Sequence, residues 1–382
     1  MKGSTRRLFA AATVLAACLT TALSGRQAPA PAAPMAEQVF KNVQVLKGIP
    51  VDEFMLTMGF YATATGLNCT DCHVEESGGS WARYADDNTL KRQARRMQVM
   101  MNTINRTNFG GRQVVTCDTC HRGFSRPNVM PSINRLYGSP PADEPGDPIE
   151  QAAGQPPPDQ VLDKYLAALG TPERLAALTS FSAKGTYMGF DDADKSPMEI
   201  VARATGERST VVRTPVGDST TTITPNGGWL TAPPTDKPVP LMQITGQELD
   251  GVRVEAMVFF PATLRKSLTK LRTGLPQFLE DDREVLQVQG NTANGATVTL
   301  LIDSETNLLR RLVRYNESPV GRLVARVDYH EYREVAGVKI PSRWTVSWVS
   351  GRSHFELTNT ASNVQVPLER FARPNLPQTL VP

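Results

Sequence analysis

Histidine is scarce in this chain, with four residues among 382, and charge of one sign is lacking. The 41 basic residues nearly balance the 38 acidic ones and leave a net charge of +3, which is no signature of nucleic-acid binding. The apolar run near the N-terminus, residues 8–23, is too short and too poorly flanked to span a membrane. Two histidines, His330 and His354, stand isolated in the second half, where the sequence shows no metal or catalytic constellation.

The other two histidines close two copies of one motif, Cys-x-x-Cys-His. The copies consist of Cys69, Cys72 and His73, and of Cys117, Cys120 and His121. This motif predicts covalent attachment of c-type haem. Two thiols on one short turn can each add to a vinyl group of one porphyrin, and the histidine that follows becomes the proximal iron ligand. The sequence therefore predicts two covalently bound haem c groups. A chain with two haems and little else reactive is expected to move electrons.

The cysteine pairs have an alternative interpretation. Four cysteines in two Cys-x-x-Cys pairs could hold a structural zinc ion, and each pair could also act as a dithiol or form a disulfide. A zinc site does not need a histidine directly after both pairs. Export of the chain also suits haem attachment better than a cytosolic zinc ribbon. Haem is thus the preferred interpretation.

The first residues predict export. A basic start and an apolar stretch make residues 1–24 a signal peptide, and residues 15–18, Leu-Ala-Ala-Cys, resemble a bacterial lipobox. Lipidation of Cys18 would explain the odd cysteine, since the other four are used by haem. Cleavage near residues 22–24 is the alternative and would remove Cys18. Either route predicts a periplasmic protein, with a membrane anchor in the first case. Residues 25–38 then form an Ala/Pro tether.

Proline divides the rest of the chain. Residues 136–158 are rich in proline, lack apolar periodicity and are predicted to be a linker. All four motif cysteines precede it, in a predicted helical dihaem domain at residues 39–135. Residues 159–373 are predicted to form a β-rich domain, and residues 374–382 a tail. The predicted fold class is α+β and multidomain.

Each motif follows a predicted helix, in a pattern that occurs twice. The first helix opens at Pro50 and breaks at Gly66, and the second covers residues 89–105. The two helices are rich in methionine, the other strong low-spin ligand of haem iron, whereas bis-histidine ligation would need contact across the linker. The candidates for the distal ligand are Met55 and Met58 for the first haem, and Met97, Met100 and Met101 for the second. Their alternative role is that of plain core residues.

Residues 42–50, 66–73, 94–100, 104–105 and 115–123 resemble the cytochrome subunit of the photosynthetic reaction centre. The resemblance implies repeated units, each with a helix that supplies a methionine and an attachment motif after it. It favours Met58 and Met97 as distal iron ligands. It covers one pair of haem units, where full members of the family hold four haems. A half-sized relative is implied, and binding to a reaction centre does not follow.

Histidine and methionine ligation would fill both axial positions of each iron. No open site would remain for peroxide, nitrite or oxygen, so we expect an electron-transfer protein rather than an enzyme. Its predicted partners are other redox proteins or membrane electron-transfer complexes. The alternative function is a redox sensor, or a periplasmic protein that binds a lipid or quinone in the second domain.

The sequence of residues 159–373 predicts many antiparallel strands in series with few helices, as in a curved sheet or open barrel. Four stretches, residues 165–170, 227–229, 303–309 and 328–341, resemble the periplasmic lipoprotein carriers of the LolA/LolB type. That resemblance implies a half-barrel whose apolar concave face is covered by helices, with a possible lipophilic ligand. The simpler interpretation is a β-domain that docks the cytochrome to a partner.

Overall fold

The computed structural model describes residues 32–130, 148–190, 192–233 and 238–376. The predicted signal peptide, Cys18 and most of the predicted tether lie outside these residues, as does the first part of the predicted linker. No helix within the described ranges is long and apolar enough to cross a membrane.

Two long and three short α-helices make up the described part of the N-terminal region. They are α1 (Ala36–Val39), α2 (Val51–Thr65), α3 (Cys69–Cys72), α4 (Thr89–Asn108) and α5 (Cys117–His121), with 3₁₀ turns at Glu75–Gly79 and Trp81–Ala85. Helix α2 follows Pro50 and ends at Gly66, whose φ of +66° suits a residue without Cβ. Both predicted long helices are thus confirmed, and α4 extends a little beyond its expected end.

One large antiparallel sheet dominates the C-terminal region, as predicted. Its strands are β1 (Ser180–Met188), β2 (Ser196–Arg203), β3 (Arg208–Thr214), β4 (Gly217–Thr224), β5 (Gly227–Thr231), β6 (Leu241–Ile244), β7 (Thr269–Thr273), β8 (Gln277–Phe278), β9 (Glu284–Asn291), β10 (Thr297–Asp303), β11 (Leu309–Ser318), β12 (Gly321–Val335), β13 (Val338–Trp348) and β14 (Gly351–Ser362). The strand order is 6-5-4-3-2-1-14-13-12-11-10-9-7, and β8 pairs with β9. Because β1 pairs with β14, the two meanders join into one continuous sheet.

Helices pack on one face of this sheet and form the main core with it. They are α6 (Pro158–Leu169), α7 (Pro172–Ala177), α8 (Gly246–Met257) and α9 (Pro261–Leu264). Aromatic rings fill the centre: Phe259 meets the edge of Trp344 at 5.3 Å between centroids, and Phe181 lies 5.4 Å from Phe259. Tyr165 of α6 is also fully buried there. The protein's own side chains therefore occupy this face of the sheet.

The N-terminal helices lie against the sheet through α2. At the start of α2, the buried Asp52 carboxylate accepts hydrogen bonds from the Thr245 backbone N–H at 2.6 Å and from its hydroxyl at 2.9 Å. Further along, Phe60 packs with Val320 of the β11–β12 turn, and Thr63 donates to the Val349 carbonyl of the β13–β14 turn. Helix α2 is therefore fixed at both ends by the β-domain.

The last part of the predicted linker lies against the sheet edge. The Ile149 N–H donates to Gln289 Oε1 at 2.9 Å, and the Ala152 N–H donates to the Thr273 carbonyl, also at 2.9 Å. Arg272 in turn donates to the Ile149 carbonyl at 2.7 Å. Residues 148–152 thus add contacts to strands β7 and β9 before α6 begins.

Candidate functional site

The first Cys-x-x-Cys-His motif forms a capped helical turn. Asn68 Oδ1 accepts from the Asp71 N–H at 3.0 Å, and Asp71 Oδ2 accepts from the Asn68 N–H at 2.8 Å. This reciprocal cap closes α3, in which Cys69 and Cys72 are three residues apart and so share one face. Both thiols are free, and Cys69 is exposed. The turn thus presents two thiols side by side.

His73 has a fixed orientation. Its Nδ1 lies 2.9 Å from the Tyr84 carbonyl oxygen, and because that oxygen can only accept, Nδ1 carries the proton. In the neutral ring, Nε2 then keeps the lone pair that an iron ligand needs. Burial, and after it the charges of Lys91 and Arg95, lower the pKa of His73 and favour the neutral ring.

The Tyr84 carbonyl has a second donor. Lys91 Nζ lies 2.7 Å from the Tyr84 oxygen, 3.0 Å from that of Ala85 and 3.1 Å from that of Asp86. The ammonium therefore caps the end of a 3₁₀ turn and shares one carbonyl with the His73 ring. This positive charge lies next to the hydrogen bond that orients the histidine.

The second motif uses the same local chemistry. Thr116 and Thr119 cap α5 reciprocally, with the Thr116 N–H donating to Thr119 Oγ1 at 3.0 Å. His121 Nδ1 lies 2.9 Å from the Phe124 carbonyl oxygen. The ring is again held as an Nδ1 donor, which leaves Nε2 free for a metal in the neutral form. Cys120 is exposed.

Helix α2 also contacts the second motif. The Gly123 N–H donates to the Ala64 carbonyl at 2.9 Å. A Cβ on Gly66 would lie 2.3 Å from the Gly123 carbonyl oxygen, so this approach requires glycine. We call the capped turns of the two motifs, residues 68–73 and 116–123, the first and second attachment turns. Helix α2, which precedes the first attachment turn, is therefore in backbone contact with the second one.

A buried amide holds the loop before the second motif. Asn105 Nδ2 donates to the Val115 carbonyl at 2.7 Å, and Asn105 Oδ1 accepts from the N–H groups of Val115 at 2.9 Å and Val114 at 3.1 Å. This side chain satisfies three backbone groups of an irregular segment. No pattern in the sequence signals this role.

The candidate methionines lie in different environments. Met55 packs in a cluster with Val239 and Met242 of the β-domain. Met101 is 4% exposed and lies in the core with Phe60 and Val320. Met58 and Met97 are partly buried and belong to neither cluster, and Met100 is 52% exposed.

The two cysteine pairs stand apart from further metal-ligand side chains. All four motif cysteines are free, and the described residues contain no group of three or more His, Cys, Asp or Glu side chains that could hold a metal ion. Burial raises the pKa of Cys117 to about 11 and also raises that of Cys72. Paired thiols beside an oriented histidine fit covalent haem instead.

The β-domain has polar features that the sequence did not reveal. His330 Nε2 lies 2.8 Å from Thr345 Oγ1, which lies 3.0 Å from His354 Nδ1. The two histidines expected to be isolated are therefore linked through one hydroxyl. A nearby cavity of about 290 Å³ has a charged lining of Arg283, Asp303, Arg310, Lys339, His330 and two tyrosines, among others. No sequence motif signals either feature, because the residues come from separate strands.

Comparisons with known proteins concern the two halves separately. Residues 10–141 match the family of the photosynthetic reaction centre cytochrome C subunit. The photosynthetic reaction center cytochrome c subunit of Thermochromatium tepidum is 39% identical over 94 residues, which are 24% of this chain and 22% of that protein. This chain thus spans about a fifth of that relative's length. The resemblance of the N-terminal region to this family is confirmed.

Three solved structures are similar to the C-terminal half. A DUF1329 family protein from Desulfovibrio piger is 9% identical, with 57% of this chain and 98% of that chain covered and a TM-score of 0.41. A LolA superfamily protein from Nitrosomonas europaea is 13% identical, with 57% and 99% covered and a TM-score of 0.39. A putative outer membrane lipoprotein-sorting protein domain from Vibrio parahaemolyticus is 9% identical, with 56% and 97% covered and a TM-score of 0.37.

Proposed function

We propose that the N-terminal region is a dihaem c-type cytochrome unit that carries electrons between redox partners in the periplasm. One observation carries the proposal: two capped turns each place a pair of free thiols beside a histidine whose Nδ1 donates to a carbonyl. Family similarity over residues 10–141 supports it. When bound, haem supplies a one-electron Fe(III)/Fe(II) couple.

The residues of the chain have distinct roles in this proposal. Each cysteine pair anchors one haem covalently, and His73 and His121 supply the proximal ligands. The carbonyls of Tyr84 and Phe124 fix the orientation of these rings and the position of their protons. We propose Met58 and Met97 as distal ligands, because Met55 and Met101 pack in the clusters described above.

With two protein ligands on each iron, the unit would transfer electrons without substrate chemistry. The β-domain would hold α2 through Asp52 and the contacts at Phe60 and Thr63. A lipophilic ligand in the β-domain is the alternative role. The aromatic rings of Phe181, Phe259 and Trp344 pack against one another in the core between the helices and the sheet, which favours the supporting role.

The first experiment counts haems in protein produced with a c-type cytochrome maturation system. A pyridine haemochrome assay should give two haems per chain, and the oxidised spectrum should show the weak far-red band of methionine–Fe(III) ligation.

The Cys69→Ala/Cys72→Ala variant should retain one haem. Cys18→Ala is the matched control and should retain both. Absence of haem from the unaltered protein would disprove the proposal, and a high-spin oxidised spectrum would disprove the assigned ligands.

The location can be tested with the same Cys18→Ala variant. Lipidation would place the unaltered protein in the membrane fraction and release the variant into the soluble periplasm. Cleavage after residues 22–24 would instead give identical soluble products, because Cys18 would be absent from both.

A further inference from the structure

The two halves of the N-terminal region carry opposite charge. Residues 39–87, which include the first attachment turn, contain three Lys or Arg and seven Asp or Glu residues. Residues 88–130, which include the second turn, contain eight Lys or Arg and one Asp residue, Asp118. Residues 88–130 are thus strongly basic, although the total charge of the chain is nearly balanced.

Six of the basic residues in the range 88–130 form what we call the basic surface. They are Arg92, Arg96, Arg106, Arg112, Arg122 and Arg126, all exposed. Within the described part of the chain, none of the six forms an ion pair with a carboxylate, whereas Arg83 and Arg95 of the same region pair with Asp86 and Asp87. The positive charge of the basic surface is therefore not neutralised internally.

Helix α4 presents half of this surface in one direction. Arg92, Arg96 and Arg106 follow the helical repeat, with Val99, which is 54% exposed, between them. The opposite side of α4 carries the buried residues Gln98, Met101 and Asn105. The helix thus turns a row of arginines with one apolar residue away from the core, which is the composition of a docking patch rather than of a packing face.

The remaining arginines flank the second attachment turn. Arg112 precedes Cys117, Arg122 directly follows His121, and Arg126 lies four residues later. Cys120 of the same turn is exposed, so a haem bonded to it would reach the protein surface there. The exposed neighbours of the first turn are acidic instead, namely Asp71, Glu75 and Glu76, while the nearby cations Lys91 and Arg95 pair with Asp87. An electron partner would therefore meet opposite charge at the two turns.

We propose that the basic surface docks an acidic redox protein at the second attachment turn. This inference rests on the proposed function, since it assigns a partner to the second haem. Complementary charge raises the rate of encounter by about 10–10³-fold at low ionic strength and positions the partner at the turn with the exposed Cys120. The acidic surroundings of the first turn would repel the same partner, so electrons would enter or leave at one defined end.

Stopped-flow kinetics with a purified acidic flavodoxin, reduced to its hydroquinone, test this proposal. The unaltered protein should be reduced rapidly, with a rate that falls steeply as salt is added. The Arg106→Glu/Arg126→Glu variant should react at least about tenfold more slowly at low ionic strength and lose most of the salt dependence. Arg92→Glu/Arg96→Glu, confined to α4, should show the same trend if the first variant folds poorly.

The matched control reverses two exposed lysines of the β-domain, Lys184→Glu/Lys266→Glu, and should react like the unaltered protein. Equal slowing in the control, or no slowing in either arginine variant, would overturn the proposal. So would binding to phosphatidylglycerol vesicles that the arginine variants lose while their flavodoxin rates stay unchanged, since the surface would then serve a membrane. Haem content is measured first in every variant, so failure of docking is distinguishable from failure of haem attachment.

Discussion

At the first attachment turn, His73 donates to a carbonyl eleven residues further along the chain, whereas His121 donates to one only three residues away. The first acceptor belongs to a 3₁₀ turn that Lys91 also caps, and the His73 ring lies 4.7 Å from that of Tyr84. In the described part of the chain, the second histidine bonds within its own turn, which contacts α2 through Gly123 and packs Cys117 against the cluster of Phe60 and Val320. Identical motifs thus acquire different surroundings, and the longer loop supplies the difference.

This difference bears on the two predicted haem potentials. A cation beside the orienting hydrogen bond withdraws electron density from the carbonyl and favours the reduced iron, whereas an isolated carbonyl increases ligand basicity. At the same time, the negative net charge of residues 39–87 and the positive net charge of residues 88–130 favour reduction of the haem at the second attachment turn. Local and overall electrostatics therefore oppose each other, and only variants that alter one of them can separate their effects.

The largest effect should come from removing the distal ligands. We expect Met58→Ala and Met97→Ala each to halve the far-red band and to lower one of the two potentials by on the order of 0.1 V, since axial ligands set haem potentials over about 0.8 V. Spectroelectrochemical titration measures both quantities. Met55→Leu and Met101→Leu are controls that should keep the band, because these side chains pack in the core. Loss of the band in either control would reassign that ligand.

Gly66→Ala tests the contact between the two turns. The added Cβ would lie 2.3 Å from the Gly123 carbonyl oxygen at a φ of +66°, so the end of α2 must separate from the second turn. We expect a loss of about 2–3 kcal/mol in the free energy of unfolding, measured with denaturant. Gly48→Ala has a similar φ of +79° with nothing within 4 Å, and so reports the backbone strain alone. Equal losses in both variants would show that the contact contributes nothing.

Lys91→Met removes the cation from the Tyr84 carbonyl while keeping a long apolar side chain. The potential of the first haem should fall by tens of millivolts, where 59 mV corresponds to a tenfold change in a one-electron equilibrium. The second potential should stay in place. Arg92→Met, which removes an exposed charge one residue away, should shift neither by a comparable amount. A common shift of both potentials in Lys91→Met would indicate overall charge rather than the local hydrogen bond.

Local patterns in the sequence predicted the attachment turns and both long helices, because a capped turn or an amphipathic helix depends on neighbouring residues. The antiparallel sheet was also predicted from its alternation. Helix α8 was not, since its buried residues include Asp250 and Gly251 and make no apolar stripe. The Lys91 cap, the Asn105 clamp and the Thr345 bridge between His330 and His354 depend on side chains brought together by folding, so no periodicity signals them.

The smallest expected effect concerns the anchor of α2 on the sheet. Burial raises the pKa of Asp52, although the hydrogen bonds from Thr245 oppose the shift. A carboxyl with a raised folded-state pKa stabilises the fold fully below its unfolded value of about 3.9, and that contribution is lost as the pH rises through the folded-state pKa. Asp52→Asn keeps an acceptor for the Thr245 N–H and removes the charge. The stability of this variant relative to the unaltered protein should therefore increase as the pH rises through the folded-state pKa of Asp52.

Denaturant unfolding of both proteins at a series of pH values measures this difference. Asp52→Ala separates the charge from the hydrogen bonds, since it leaves the Thr245 donors without their acceptor and should cost about 1–3 kcal/mol at all pH values. If Asp52→Asn loses as much as Asp52→Ala, the charge itself stabilises the contact, and the anchor of α2 would be an ionised carboxylate. If only the alanine variant loses stability, neutral hydrogen bonding is sufficient to hold the helix that carries Met58 and contacts the second attachment turn.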